Sequence, residues 1–162
     1  MSRIFAPVFN PGNMAPKHFF LTTLLSFFCL VCYTQTYEGH VFEVSARVKI
    51  FLPQADAANL EGTDRYIQIG MQGAQKDVHD LVGYMDRFIV NDHDMITRAE
   101  AGISEEGIDY YKFYLDPLYD ANDFQHMLEM LKITRFNAGV EERPVTDFSN
   151  LIYSFIKSKN HR

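Results

Sequence analysis

Apolar and polar residues change period several times along this chain, and each change marks a new element. From Phe42 to Leu52, the residues Phe42, Val44, Ala46, Val48, Ile50 and Leu52 alternate with Glu43, Ser45, Arg47 and Lys49. A period of two sustained this long predicts a strand with one buried and one wet face. Pro53 lacks a ladder donor and ends it. After the polar segment 54–64, alternation resumes from Arg65 to Met71 with Ile67, Ile69 and Met71 on one face. These two strands are expected to pair as an antiparallel hairpin with a long connection.

Past Gly70 and Gly73 the period lengthens. Val78, Leu81, Val82, Met85, Phe88 and Ile89 recur at spacings of three and four, with Asp77, Asp80, Asp86 and Arg87 between them. That is the stripe of an amphipathic helix. Asn91 to Asp94 breaks it, and Met95 to Ile103 with Ile108 to Leu115 reads as a second strand pair. Ser104, Glu105, Glu106 and Gly107 join the pair, and the glycine suits a tight turn. Pro117 stops the sheet. Asp120 or Asn122 then caps a helix whose stripe is Phe124, Met127, Leu128 and Leu131, with Asn137 and Gly139 at its end. A polar connector from Glu141 to Pro144 leads to a last helix, opened by Thr146 or Asp147, with Phe148, Leu151, Ile152, Phe155 and Ile156 on one side.

Two strand–strand–helix units and a closing helix predict an α+β domain. The expected architecture is an antiparallel sheet of about four strands with helices packed on one face. A ferredoxin-like sandwich is the nearest alternative and needs one more strand between Ala138 and Val145.

The segment Lys17 to Gln35 has a different character. A cation precedes an uncharged apolar run, Phe19 to Cys32, and small or polar residues follow, the three parts of a secretory signal peptide. The run falls short of the ~20 apolar residues that a helical span needs. Residues 1–35 are therefore expected to be a leader, cut after Thr34, and 36–162 to be a single secreted or periplasmic domain. The alternative is a membrane anchor formed by residues 19–33, the only route to a membrane that the pattern offers. The proline-punctuated stretch before Lys17 has no periodicity, and a start at Met14 leaves the ordinary order of a signal peptide intact.

Composition narrows the functional classes. The formal charge is −6, and residues 1–35 hold Arg3 and Lys17 but no acid, so the remainder is more acidic still. Such a surface repels phosphate backbones, and no basic run interleaved with aromatics offsets it, which excludes nucleic acid as the expected partner. Both cysteines, Cys29 and Cys32, lie within the apolar run and lack the polar setting that a thiolate or a metal requires.

Three groups of residues invite a chemical reading. Asp77, His79 and Asp80, with Asp92, His93 and Asp94, carry ligands suited to a divalent transition ion. A helix rising about 1.5 Å per residue separates His79 from Asp92 by roughly 20 Å, so a joint site is not expected. His126 and Glu129 share a helix side but have no matching second pair. Glu105, Glu106 and Asp109 crowd a hairpin tip without the enclosing cleft that raises one carboxyl pKa. No metal and no cofactor is expected. None of the common catalytic fingerprints, such as G-x-S-x-G or H-E-x-x-H, occurs.

Aromatic density remains. Tyr110, Tyr111, Phe113, Tyr114 and Tyr119 cluster within one strand and its exit. Alternation places Phe113 and Leu115 on the core side, leaving Tyr110, Lys112 and Tyr114 as a candidate binding surface for a protein partner. The expected function is that of an exported binding or interaction module. The competing class is a small metal-dependent or hydrolytic enzyme of the cell envelope.

Overall fold

The first strand-like alternation folds as a helix. The structure, a computed structural model, describes residues 39–53 and 56–159, and in it α1 covers residues 39–47, with strand β1 confined to Lys49–Leu52. Val41, Val44, Ser45 and Val48 are buried while Phe42 and Ala46 face outward. Val44 and Val48 belong to both a period-two and a period-3.6 pattern. Val41, three residues before Val44, decides for the helix. The apolar run Phe19 to Cys32 and the leader lie outside the described residues. Among the described residues no helix is long and apolar enough to cross a membrane.

Gly39–Arg162 forms a compact unit of its own, with a mixed α+β architecture. After β1, a short strand β2 (Ala58–Asn59) and β3 (Tyr66–Gln72) lead to α2 (Gln75–Asp86). A small ribbon, β4 (Ile89–Val90) with β5 (His93–Asp94), precedes the hairpin β6 (Ile96–Glu105) and β7 (Ile108–Leu115). Then come α3 (Ala121–Met130), β8 (Arg135–Ala138), β9 (Glu141–Pro144), a 3-10 turn and α4 (Phe148–Lys159).

The sheet is seven-stranded and mixed, in the order β6-β7-β3-β1-β8-β9, and β2 also pairs with β3. The expected antiparallel sheet of about four strands is not what forms: β6, β7, β3 and β1 do pair antiparallel in turn, from the β6 edge inward, but they are part of a larger mixed sheet. What the four-strand reading missed is β2, which pairs antiparallel with β3 within the segment read as a polar loop, β8, which runs parallel to β1, and β9, which pairs antiparallel with β8. Of β8 only Phe136 is fully buried, and β9 is an exposed edge, so neither shows an alternation long enough to read. Asn137 and Gly139 belong to this β8–β9 hairpin and not to a helix end. Nor is the connectivity ferredoxin-like, because β8 and β9 lie side by side beyond β1.

Two helix ends also differ from expectation. The stripe of α2 stops at Met85, and Ile89 belongs to the ribbon, turned at Asn91 and Asp92, whose φ angles are 51° and 64°. Helix α3 ends at Met130, and just past its cap Leu131 comes Lys132, a left-handed residue with φ 63°. The Ile133 N–H donates to the Leu128 carbonyl at 2.9 Å, closing the chain reversal that usually employs glycine. Its start matches expectation: Asp120 accepts from the Asn122 and Asp123 N–H groups, and Asp123 accepts from the Asp120 N–H.

Helices pack against one face of the sheet. Ile50, Leu52, Ile67, Ile69, Met71, Phe113 and Leu115 join Val78 and Leu81 of α2, Phe124 and Leu128 of α3, and Phe148 and Ile152 of α4 in one core. Phe113 meets Phe124 at 5.9 Å between ring centroids, Phe124 stacks on Phe148 at 5.7 Å, and Phe136 meets Phe148 edge-on at 5.3 Å. This chain of rings ties the sheet to α3 and α4. Helix α1 is held by polar bonds as well. Ser45 Oγ donates to the Leu131 carbonyl at 2.6 Å, and the Arg47 guanidinium forms a two-pronged pair with Asp77 of α2 at 2.9 Å.

Candidate functional site

Alternate residues of the central strands point away from the helices, and strand register arranges them in rows. Arg98, Tyr114 and Tyr66 lie side by side across β6, β7 and β3. Glu100, Lys112 and Gln68 form the next row, and Tyr110, Gly70 and Phe51 the third, across β7, β3 and β1. The sequence-based candidates Tyr110, Lys112 and Tyr114 thus share the face opposite the core, each half-buried. Tyr111 and Phe113 point the other way, with Phe113 fully buried and Tyr111 packed against the core.

The rows are knitted together. The Arg98 guanidinium lies 3.8 Å from the centre of the Tyr114 ring, and the Lys112 ammonium sits 4.6 Å above Tyr66. Tyr66 and Tyr114 meet at 5.9 Å. The Tyr114 hydroxyl donates to Glu100 at 3.0 Å, and Arg98 pairs with the same carboxylate at 3.1 Å. Gly70 makes the third row possible. A Cβ there would fall 2.6 Å from Ile108 Cγ2 and 2.9 Å from Tyr110 Cε1, so the Tyr110 ring occupies the space over the bare backbone. Beside Tyr110 and Lys112 lies a depression of about 510 Å³ bounded by Gln68, Gly102 and Ile103. A register shift after Ala101 opens β6 there, and Ile103 is 77% exposed.

The other candidates are spent on structure or stand apart. Asp77 is 8% exposed and engaged by Arg47. Its hydrogen bonds from Arg47 outweigh burial and hold its carboxyl below the ordinary range, while the same bonds raise the Arg47 guanidinium. Asp80 lies 4.0 Å from His40 of α1. His93 and Asp94 are exposed on the β4–β5 ribbon. Among the described residues no three His, Cys, Asp or Glu side chains converge as metal ligands. His126 and Glu129 form an exposed pair at 4.0 Å.

Between α2 and the β6–β7 hairpin, a hollow of about 500 Å³ is lined by Lys76, His79, Ser104, Asp109 and Tyr111. Ser104 Oγ donates directly to Asp109, and among the described residues no hydrogen bond joins His79 to either. A serine bonded to a carboxylate with no imidazole between them lacks the relay that activates a nucleophile. Burial, then the nearby Asp109, raises the Tyr111 phenol, which keeps it a neutral donor. Neither the hollow nor the open face assembles a nucleophile with its base.

Three residues of the open face escaped sequence reasoning: Tyr66, Arg98 and Glu100. Their link to Tyr114 and Lys112 is cross-strand register, and a strand read singly does not carry it. No family model, no curated protein and no solved structure matches this chain.

Proposed function

We propose that this chain is an exported binding module whose open sheet face, centred on Tyr110, Lys112 and Tyr114, docks a protein partner. The observation that supports the reading is the preset mesh of tyrosines and cations on that face. Rings already held by Arg98 and Lys112 lose little freedom on binding, and tyrosine and arginine are the side chains that most often anchor interfaces. The depression beside Tyr110 offers room for an apolar side chain of the partner. Charge defines the partner further. On a chain with net charge −6, Arg98 is paired with Glu100 and Glu105 borders the depression, so Lys112, whose ammonium lies over Tyr66, is the cation that favours an acidic group within an apolar partner surface.

A photo-crosslinking phenylalanine analogue tests the reading in the native host, placed at Tyr110 and, as a control on α4, at Tyr153. The expected result is an adduct specific to position 110, with an added mass different from that of a second copy, lost when Lys112→Glu is introduced. The same adduct at both positions, or one indifferent to Lys112→Glu, overturns it. Export follows from the tripartite segment Lys17 to Gln35. Intact mass of the protein from that host checks it, and a full-length chain in the cytoplasm refutes it.

A further inference from the structure

The edge of the sheet nearest the open face is a second surface, independent of the docking proposal. Strand β6 pairs with β7 on one side, and among the described residues no strand pairs with the other. Free edges of this kind template another strand. The opposite edge, β9, ends in Pro144, which cannot donate. Edge β6 runs from Ile96 to Glu105 without proline, and almost all of it is exposed.

Register shifts on either side leave Arg98–Ala101 as the regular part of β6. The side chains of Arg98 and Glu100 project from the open face, 54% and 48% exposed. Consider a second copy paired antiparallel along this edge by a two-fold axis perpendicular to the sheet. Residues directly opposite must then lie on the same face, so the axis passes through a residue and not between two. The regular run offers four positions for the axis, and one at Ala101 sets Glu100 opposite Gly102 and Arg98 opposite Ser104, leaving neither charge with an opposite. An axis at Arg98 sets Arg98 against its own copy, and an axis at Glu100 does the same with the carboxylate. Like charges directly opposite destabilise a strand pair. An axis at Ala99 sets Arg98 of each chain opposite Glu100 of the other, twice, with the small Ala99 pair at the centre.

We infer that the chain forms a two-fold homodimer through β6, in the register centred on Ala99. The two sheets become one continuous sheet, and the two open faces become a single surface lined by both copies of Tyr114 and Tyr66. The occupant is a second copy because the edge is its own electrostatic complement in one register only.

Sedimentation equilibrium of the full chain, with Arg98→Glu, Glu100→Arg and the double exchange, tests the inference. Both side chains are exposed, and circular dichroism verifies that each variant folds. The expected result is wild-type protein at twice the mass of one chain, association weakened about tenfold or more by each single reversal, and recovery in the double exchange. Wild-type protein that stays monomeric at high micromolar concentration overturns the inference. So does a dimer that the single reversals leave unchanged. Neither outcome bears on the Tyr110 crosslink, so the two proposals fail separately.

Discussion

Replacing Phe113 by alanine and, separately, Tyr110 by alanine tests whether β7 is covered on one face only. Phe113 is fully buried and packs on Phe124 at 5.9 Å, at the root of the ring chain that reaches Phe148 and Phe136. A buried phenylalanine removes roughly 150 Å² or more from water. At about 25 cal/mol per Å² that is near 4 kcal/mol, within the ~3–5 kcal/mol measured for such truncations once the cavity is included. Tyr110 lies three residues away on the other face, half-exposed, with its ring over Gly70. Its loss removes a partial contact and should cost about 1 kcal/mol. In urea denaturation with an unchanged slope, the Phe113→Ala midpoint should fall by roughly 2 M and the Tyr110→Ala midpoint by a fraction of that. Equal, large losses would show that both faces of β7 are covered, and the docking face would have to be given up.

Three further outcomes follow from local geometry. Gly70→Ala should destabilise by about 1–3 kcal/mol, since its Cβ meets Ile108 and Tyr110, and the cost should shrink in a Tyr110→Ala background; undiminished cost would mean the ring does not cover Gly70. Lys132→Gly should stabilise by about 0.5–1 kcal/mol in a thermal melt because Lys132 holds a left-handed conformation, and a loss of stability would contradict that backbone. Asp77 has a folded-state pKa below its unfolded value, so its pairing with Arg47 stabilises the fold above about pH 4 and the benefit fades as pH falls through the lowered value. Asp77→Asn should therefore be less stable than wild type at pH 7, with the gap narrowing as pH falls below the ordinary carboxylate range; a gap indifferent to acid would sink the assignment.

Sequence and structure agree where a period is long and belongs to one element. The stripes of α2, α3 and α4 were legible because Leu81, Phe124 and Phe148 recur with neighbours three and four apart, all facing one core. The central strands β3 and β7 alternate over enough residues to place Phe113 and Tyr110 on opposite faces. Reading failed where one pattern serves two structures. Val44 and Val48 fit a strand or a helix; Val41, buried three residues before Val44, decides for α1, and the bonds of Ser45 and Arg47 anchor it. It failed again in β8, where pairing with β1 supplies the strand and one buried residue, Phe136, carries the packing. The candidate face was half legible for the same reason: alternation finds Tyr110, Lys112 and Tyr114, but only pairing shows that Arg98 and Glu100 stand beside them.

That pairing also explains how the open face tolerates water. Three tyrosines and Phe51 on one sheet face would ordinarily leave broad apolar rings exposed. Here the Arg98 and Lys112 side chains lie over two of the rings, and Gly70 lets Tyr110 settle against backbone. The charged heads remain at the surface while their stems shield apolar area. Glu100 neutralises Arg98 and accepts from Tyr114, so the mesh is satisfied without a ligand. A partner that docks on this face need not break those bonds; it gains by removing water from rings already fixed in place. Lys112 differs from Arg98 in one respect, since its ammonium meets a ring and no carboxylate among the described residues. An acidic group of the partner would find its counter-charge there, and Lys112 is accordingly the residue whose reversal separates charge recognition from aromatic packing.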